Sequence, residues 1–366
     1  MRITTVRAMT LTIPLDAPVV LGGGLRITER EYLLVVLITD TGLTGVGWSY
    51  TRGGDLAGVV RRNLQPLMEG ENPLDGERLW EKMYQATRFI GRSGLVMRAL
   101  SAIDIALWDL KAQAAGLPLS VLLGGYRTEV PVLMAGMYYT EGRRPGDDAR
   151  EAGGYAEQGF RAIKVMGGAA PFATDLARLR AVRRAAGPEV RIALDVNGAW
   201  REPKVAAGYA RTLADLDVAF IEEPIQTENL PALRALCAAS PVPIAAGEAE
   251  SGRWALRELI VSGVDVLRPD ATVVGGISEW LKVHAAATAW GRTVIPHDFP
   301  YVHVHLAAGQ AGADAVEFVT TAGGISNFHM LVRDPLRPRG GVVSAPSGPG
   351  LGVIWDWPAV ERYARD

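Results

Sequence analysis

The sequence predicts an α/β chain, a (β/α)-barrel preceded by an α+β domain at the N-terminus. Three observations point there. From about residue 130 onward, short apolar runs alternate with alanine-rich helical stretches, eight times in about 200 residues. The first 125 residues have a different rhythm, strands and turns followed by helices. Polar residues recur at the ends of the short apolar runs, where a barrel of parallel strands carries its chemistry. A doubly wound open sheet is the competing layout, since it also uses parallel strands.

The elements follow in order. Residues 1–50 read as strands, with Glu31–Thr39 rich in Leu and Val and Asp40-Thr41-Gly42 turning the chain into the next extended run. Gly22-Gly23-Gly24 lacks the Gly-Lys-Ser/Thr that a phosphate-binding loop needs, so it reads as a flexible flap. Residues 55–115 read as helices. The last places Val96, Leu100, Ile103, Leu107 and Leu110 on one face, and Gly116 and Pro118 stop it. The predicted barrel strands are Pro131–Tyr138, Ala162–Met166, Arg191–Val196, Ala219–Glu222, Pro243–Ala246, Val264–Leu267, Thr293–Pro296 and Ala315–Val319. After Arg333 the chain is rich in glycine and proline and is expected to return to the first domain. The expected division is residues 1–125, 126–332 and 333–366.

Composition narrows the function. A chain of 366 residues exceeds what one simple core supports. The net charge of −2 lacks the basic excess of a nucleic-acid binder. No run of about 18 apolar residues and no cleavable leader is seen, so no membrane span is expected and the cytoplasm is the expected location. Cys237 is the sole cysteine, so no intramolecular disulfide forms, and it reads as a small apolar filler.

The strand ends carry the chemistry. The second gives Lys164 and Met166, which share one face. The third gives Asp195 and Asn197, the fourth Glu222 and Glu223, the fifth Glu248 and Glu250, and the sixth Asp270. The seventh gives His297 and Asp298, and the eighth Glu317. Singly, each has an ordinary reading. Asp298 reads as a helix cap, and Glu223 and Glu250 as solvated or supporting groups. His303 and His305 read as a short turn beside the site, and His284 and His329 as structural. The set is harder to dismiss. Asp195, Glu222 and Glu248 stand 27 and 26 residues apart, one βα unit each. Three carboxylates converging on one barrel mouth repel without a cation, and an all-oxygen set suits Mg²⁺. Asp270, ending the strand beside His297, can orient the imidazole and raise its pKa.

These residues resemble the enolase superfamily, and most closely its mandelate racemase branch. Ser101–Gly125 (SAIDIALWDLKAQAAGLPLSVLLGG) is similar to the family's link between capping domain and barrel. GFRAIKVMGG, LDVNGAW, IEEP, AGE, LRPDATVVGG, IPHDF and VEF resemble its successive strand-end motifs, in the same order, and GVVSAPSGPGLGV its C-terminal return. The resemblance implies a modified TIM barrel under an α+β capping domain. It implies Mg²⁺ on Asp195, Glu222 and Glu248, and a base dyad of Asp270 and His297. Lys164 would stabilise an enolate, and Glu317 would hydrogen-bond the substrate carboxylate. The loop near Gly22–Gly24 would cover the substrate and set specificity. Asn197, Tyr138, Met166 and Gly23 are the expected substrate contacts.

Two positions narrow the branch. Members acting on lactonising or dipeptide substrates carry a lysine where Asp270 stands. The family's Lys-x-Lys on the second strand reads Lys164-Val165-Met166 here, and Met166 cannot accept a proton. Racemisation needs a base on each face, whereas loss of water needs only one. A hydro-lyase acting on a sugar acid or related α-hydroxy acid is therefore expected. A racemase or epimerase with Tyr138 or Tyr139 as second base is the runner-up, and a metal-binding scaffold without activity the reading from another class. Alanine-rich helices point to a homo-oligomer whose partners are copies of itself and a small carboxylate substrate.

Overall fold

Tyr32, Leu34 and Val36 point one way from the second strand and Leu33, Val35 and Leu37 the other, and both rows are buried. That strand therefore lies between two layers. The protein, seen in a computed structural model that describes residues 1–321 and 325–365, opens with an antiparallel meander. Its strands are β1 (Ile3–Val20), β2 (Arg26–Thr39) and β3 (Thr44–Tyr50). The Leu33 face packs on α1 (Leu56–Val59), α2 (Gln65–Met68), α3 (Gly76–Thr87) and α4 (Leu95–Ala114). All five predicted apolar positions of α4 are buried. Gly45 and Gly47 let it sit against β3: a Cβ at Gly47 would lie 1.9 Å from the Ala102 carbonyl oxygen. The short α5 (Leu119–Leu122) follows.

Eight parallel strands come next. They are β4 (Glu129–Gly136), β5 (Ala162–Met166), β6 (Arg191–Asp195), β7 (Val218–Glu222), β8 (Ile244–Ala246), β9 (Val266–Leu267), β10 (Thr293–Val294) and β11 (Val316–Val319). They pair in the order β10-β9-β8-β7-β6-β5-β4-β11. A parallel bridge between Val294 and Ala313 joins the two ends, which makes the sheet a barrel and excludes the open-sheet layout. Between successive strands run α6 (Pro145–Glu157), α7 (Phe172–Ala186), α8 (Pro203–Ala214), α9 (Leu230–Ala239), α10 (Gly252–Ser262), α11 (Gly276–Ala289) and α12 (Pro300–Gly309).

Each predicted strand is present, with three differences around them. The seventh stops at Val294, because Pro296 has no N–H to donate to a ladder. Seven helices rather than eight accompany the strands: after β11 the described chain enters a 3₁₀ turn at Phe328–Leu331. His303 and His305 lie in α12, not in a turn, and both are fully buried.

The tail forms β12 (Val342–Ser344) against β4, then α13 (Trp357–Tyr363) and β13 (Ala364–Arg365). β13 pairs with β1, and Trp355 meets Trp48 with ring centroids 5.7 Å apart. Among the described residues no helix is long and apolar enough to cross a membrane.

Candidate active site

Strand alternation stacks the barrel interior in layers. The lower layer is apolar: Leu133, Ala193, Phe220, Ala245, Val266, Ile295 and Ala315 close the barrel floor. Two residues further along, the same faces present Asp195 after Ala193, Glu222 after Phe220, Arg268 after Val266, His297 after Ile295 and Glu317 after Ala315. Lys164 joins them from β5. An apolar plug thus carries a charged storey, the arrangement expected where a barrel's catalytic end begins.

The charged storey is a network. Lys164 Nζ lies 3.0 Å from Asp195 Oδ2, 3.0 Å from Glu222 Oε2 and 2.7 Å from Glu317 Oε1. Arg268 donates to Glu222 Oε1 at 2.8 Å and also to Glu317. Two cations and two anions therefore form a closed, buried ring, which is how charges survive away from water. Burial alone would lower the Lys164 pKa, but Glu222, Glu317 and Asp195 hold it well above the ordinary lysine value. Burial would raise the Glu317 carboxyl, yet Lys164 and Arg268 hold it well below the usual range.

Asp195 and Glu248 are left over. Burial pushes the Asp195 carboxyl up to about 7 against the pull of Lys164, and Glu222 and Glu248 push the same way. Glu248 Oε2 is buried with no hydrogen-bond partner. Carboxylate oxygens of Asp195, Glu222 and Glu248 lie within 4.8 Å of one another. A carboxylate oxygen without a hydrogen-bond partner, three carboxylates crowded within 4.8 Å and an all-oxygen donor set fit a hard divalent cation.

His297 stands beside this cluster. Its Nδ1 is 3.1 Å from Asp270 Oδ2, and its Nε2 is 3.3 Å from Glu248 Oε2. Burial lowers the imidazole pKa, but Glu248, the hydrogen bond with Asp270 and Glu317 raise it to about 10. Asp270 is itself fixed from behind, since Oδ1 accepts from the Thr272 N–H at 2.7 Å. His303 braces the same loop by accepting from the Ala271 N–H at 2.9 Å. One ring nitrogen of His297 is thus engaged by Asp270, and the other points toward the carboxylate trio.

The barrel order puts β5 across the ring from β9, the strand that leads to Asp270. The β5 wall is apolar. Met166 packs with Val19, Ala135, Tyr138, Val319 and Ile325, and it is 3% exposed. Tyr138 lies in this patch, its hydroxyl pKa driven upward by burial. Tyr139 points elsewhere, donating to Asp175.

The N-terminal domain roofs the mouth. Leu21, Gly22, Leu25, Tyr50, Arg52 and Arg98 line a cavity of about 260 Å³ with Asn197, Glu248, Asp270 and His297. Asn197 Oδ1 accepts from the Gly22 N–H at 3.3 Å, and its own N–H donates to Asp195 Oδ1 at 3.1 Å. It ties the roof to a candidate ligand. Gly22 must be glycine, because a Cβ there would lie 2.1 Å from the Val196 carbonyl oxygen. The loop read as a flexible flap is seated on the barrel. Gly23 is exposed at its outer side, so Leu21, Gly22 and Leu25, not Gly23, face the cavity. Left-handed backbone at non-glycine residues marks four strand ends, at Met137, Asn197, Glu223 and Asp298. Such strain concentrates at functional sites.

Two family descriptions match the chain. Residues 3–124 match the family described as mandelate racemase / muconate lactonizing enzyme, N-terminal domain, and residues 147–359 match the one described as enolase C-terminal domain-like. The chain belongs to the mandelate racemase/muconate lactonizing enzyme family. That places it in the enolase superfamily. Within this family it is 33% identical over 374 residues to D-galactarolactone cycloisomerase of Agrobacterium fabrum, covering 96% of each chain. It is 34% identical over 327 residues to L-talarate/galactarate dehydratase of Salmonella typhimurium, covering 87% of this chain and 80% of that one. The crystal structure of L-talarate dehydratase from Polaromonas sp., complexed with Mg and L-glucarate, superposes with a TM-score of 0.91 at 32% identity, covering 100% of this chain and 98% of the other. A racemase from Streptomyces coelicolor with bound magnesium superposes at 0.92 with 30% identity, covering 99% and 100%.

Against the family pattern, the structure brings together Lys164, Asp195, Asn197, Glu222, Glu248, Asp270, His297 and Glu317. Met166 and Tyr138 form the opposite wall. Sequence reasoning missed Arg268, although it lies in the quoted LRPD motif. A cation between Leu and Pro gives no sign that it is buried. The signal was positional: Arg268 stands two residues before Asp270, on the same inward face. Asp298 is not a helix cap. It is buried, its Oδ1 accepts from the adjacent Phe299 N–H, and its own N–H donates to Glu317 at 3.1 Å.

Proposed function

We propose that the protein is a Mg²⁺-dependent hydro-lyase, which removes the proton α to the carboxylate of a sugar acid and then expels the β-hydroxyl as water. The observation that carries this is the asymmetry of the mouth, with the Asp270–His297 dyad on one wall and Met166 on the other. The relatives named as dehydratases and the neighbours crystallised with Mg agree with it. Asp195, Glu222 and Glu248 are the proposed ligands. A bound Mg²⁺ supplies Lewis-acid stabilisation of the charge that develops on the substrate carboxylate.

The protein's own groups do the rest. Asp270 accepts the Nδ1–H of His297, and a cation bound to Glu248 would offset the carboxylate that most strongly holds the imidazole protonated, freeing Nε2 as the base. Nε2 takes the α-proton, and the electron pair moves into the carboxylate as an enediolate. Lys164, held cationic, lies where that negative charge grows. Collapse of the enediolate breaks the β C–O bond, and the imidazolium returns its proton to the departing hydroxyl. The enol so formed becomes a 2-keto acid. Glu317 accepts hydrogen bonds from Lys164, Arg268 and the Asp298 N–H. It thereby positions Lys164 and Arg268, and a hydrogen bond to the substrate carboxylate remains the role the family resemblance implies for it.

The test is a screen of acid sugars with Mg²⁺, read by formation of a 2-keto acid. The reading is overturned if the enzyme exchanges α-protons in deuterium oxide, yet releases no 2-keto product from any of them.

A further inference from the structure

Two guanidinium groups hang over the cavity without an anion. Arg52 follows β3 and Arg98 lies in the first turns of α4, and both line the 260 Å³ space above His297, Asp270 and Glu248. Arg98 Nη1 reaches the Tyr50 carbonyl oxygen at 3.5 Å, and the Arg52 guanidinium sits 4.9 Å from the centroid of the Tyr50 ring. Among the described residues neither makes an ion pair, whereas Arg143, Arg178, Arg253 and Arg268 all do.

Three facts argue against an idle surface pair. Arg98 is largely withdrawn from water: burial first, then repulsion from Arg52, brings its pKa down to about 10 against the pull of Asp270 and Glu248. Arg52 is exposed on the solvent side and Arg98 is half-buried below it, so their repulsion falls mainly on Arg98, where a negative group entering the cavity would relieve it. Arg52 has left-handed backbone (φ 54°), which a long side chain rarely adopts. The strain fixes where its side chain leaves the turn. Finally, planar guanidinium forks match carboxylates in pairs of hydrogen bonds.

The position of the pair matters. Lys164, Asp195 and Glu222 lie buried beneath the cavity, Glu248 lines it, and this group takes one carboxylate under the function proposed above. Arg52 and Arg98 line the same cavity from the N-terminal domain. From this geometry we infer that the substrate is a dicarboxylate, a sugar diacid whose second carboxylate is bound between Arg52 and Arg98 of the N-terminal domain. The inference rests on the reading of the Lys164 group as the site of the reacting carboxylate. A sugar monoacid, ending in a hydroxymethyl group, leaves both cations unpaired. The small cavity, just under the roughly 300 Å³ at which drug-sized pockets begin, suits a six-carbon chain.

The experiment compares matched pairs of six-carbon aldarates and aldonates, identical at every stereocentre and differing only in the last carbon. Binding to the Mg²⁺-loaded enzyme is measured by calorimetry, and turnover is followed separately. At least one aldarate is expected to bind about 10- to 100-fold more tightly than its aldonate, the worth of charge-assisted hydrogen bonds. Arg98→Gln and Arg52→Asn should erase most of that preference while leaving aldonate affinity within about threefold. Asn is chosen at 52 because it tolerates left-handed backbone. Arg98→Lys should restore part of the preference. A merely structural role for Arg98 predicts equal losses for both acids, and that result overturns the inference. So does a panel in which no aldarate outbinds its aldonate. Selective binding without a 2-keto product leaves the diacid site standing and removes the dehydratase reading instead.

Discussion

Two walls of different character rise above the same apolar floor. One is built by the residues beyond β8, β9 and β10, and it holds Glu248, Asp270 and His297. The other is built by β4, β5 and β11, and it holds Ala135, Tyr138, Met166 and Val319. Both walls are built from parallel strands of one barrel, so the sheet alone does not decide the difference. Side-chain choice does, and it makes proton traffic one-sided. A barrel that needed to take a proton from either face would place a titratable group with an accessible pKa on each. Here the second wall offers a thioether and a phenol whose pKa burial drives upward.

The strongest way to break this comparison is to remove the base. His297→Asn keeps a polar side chain of similar reach but cannot hold a proton at its tip. Loss of 2-keto product and of α-proton exchange by about 10⁴-fold is expected, at the upper end of what a positioned base contributes. If the variant still exchanges the α-proton in deuterium oxide, the proton leaves by the Met166 wall and the comparison is reversed.

Metal removal comes next. Chelation should take activity to background and Mg²⁺ should restore it. The melting temperature should rise with Mg²⁺, because a ligand at 100 times its Kd stabilises by about 2.7 kcal/mol. Glu248→Gln should weaken that response by neutralising the carboxylate whose Oε2 lacks a partner. An unchanged Mg²⁺ titration of this variant would move the metal elsewhere.

A third change makes the walls alike. Met166→Lys puts an amine into the apolar patch, where burial lowers its pKa and leaves it free to accept a proton. The melting temperature should fall by a few degrees, and some recovered substrate should be inverted at its α-carbon. Deuterium at the α-carbon without any inversion would show that the second wall does not face the reacting carbon.

Much of this was legible before folding. The regular recurrence of Asp195, Glu222 and Glu248 at the ends of apolar runs exposed both the barrel and the carboxylate cluster proposed to hold the metal, because a βα repeat imposes one period on fold and site alike. Met166 announced the asymmetry, since one missing lysine is visible in a motif. What stayed hidden depends on ring closure and on docking. Arg268 becomes a buried ion-pair partner only when β7, β9 and β11 surround it. Asp298 looks like a cap until its neighbour Phe299 turns inward to pack against Tyr50 at 4.4 Å. Arg52 and Arg98 lie in the first 100 residues, and no local pattern tells how the N-terminal domain sits on the barrel. That placement comes from contacts such as Asp104 with the N–H and hydroxyl of Ser278, at 2.9 and 2.7 Å. Among the described residues after β11 the eighth repeat has a 3₁₀ turn in place of a helix, because rhythm alone does not show where a repeat stops.

The smallest expected effect tests the quiet wall most directly. Among the described residues of this cluster Tyr138 alone carries a hydroxyl, and with Tyr139 turned toward Asp175 the racemase reading needs Tyr138 as its base. A phenol serves as a base only as phenolate. Burial drives its pKa upward, and Glu317 and Asp298 push the same way against Lys164 and Arg30. At neutral pH the hydroxyl therefore keeps its proton. Tyr138→Phe removes one oxygen from a site where Met166, Val319 and Ile325 are already apolar, and it keeps the ring that packs against them. Turnover should stay within about threefold, the melting temperature should hold, and the pH profile should not move. A loss of 10²-fold or more, the scale of a lost acid or base, together with loss of exchange at one face only, would make Tyr138 a proton carrier and the two walls chemically equivalent.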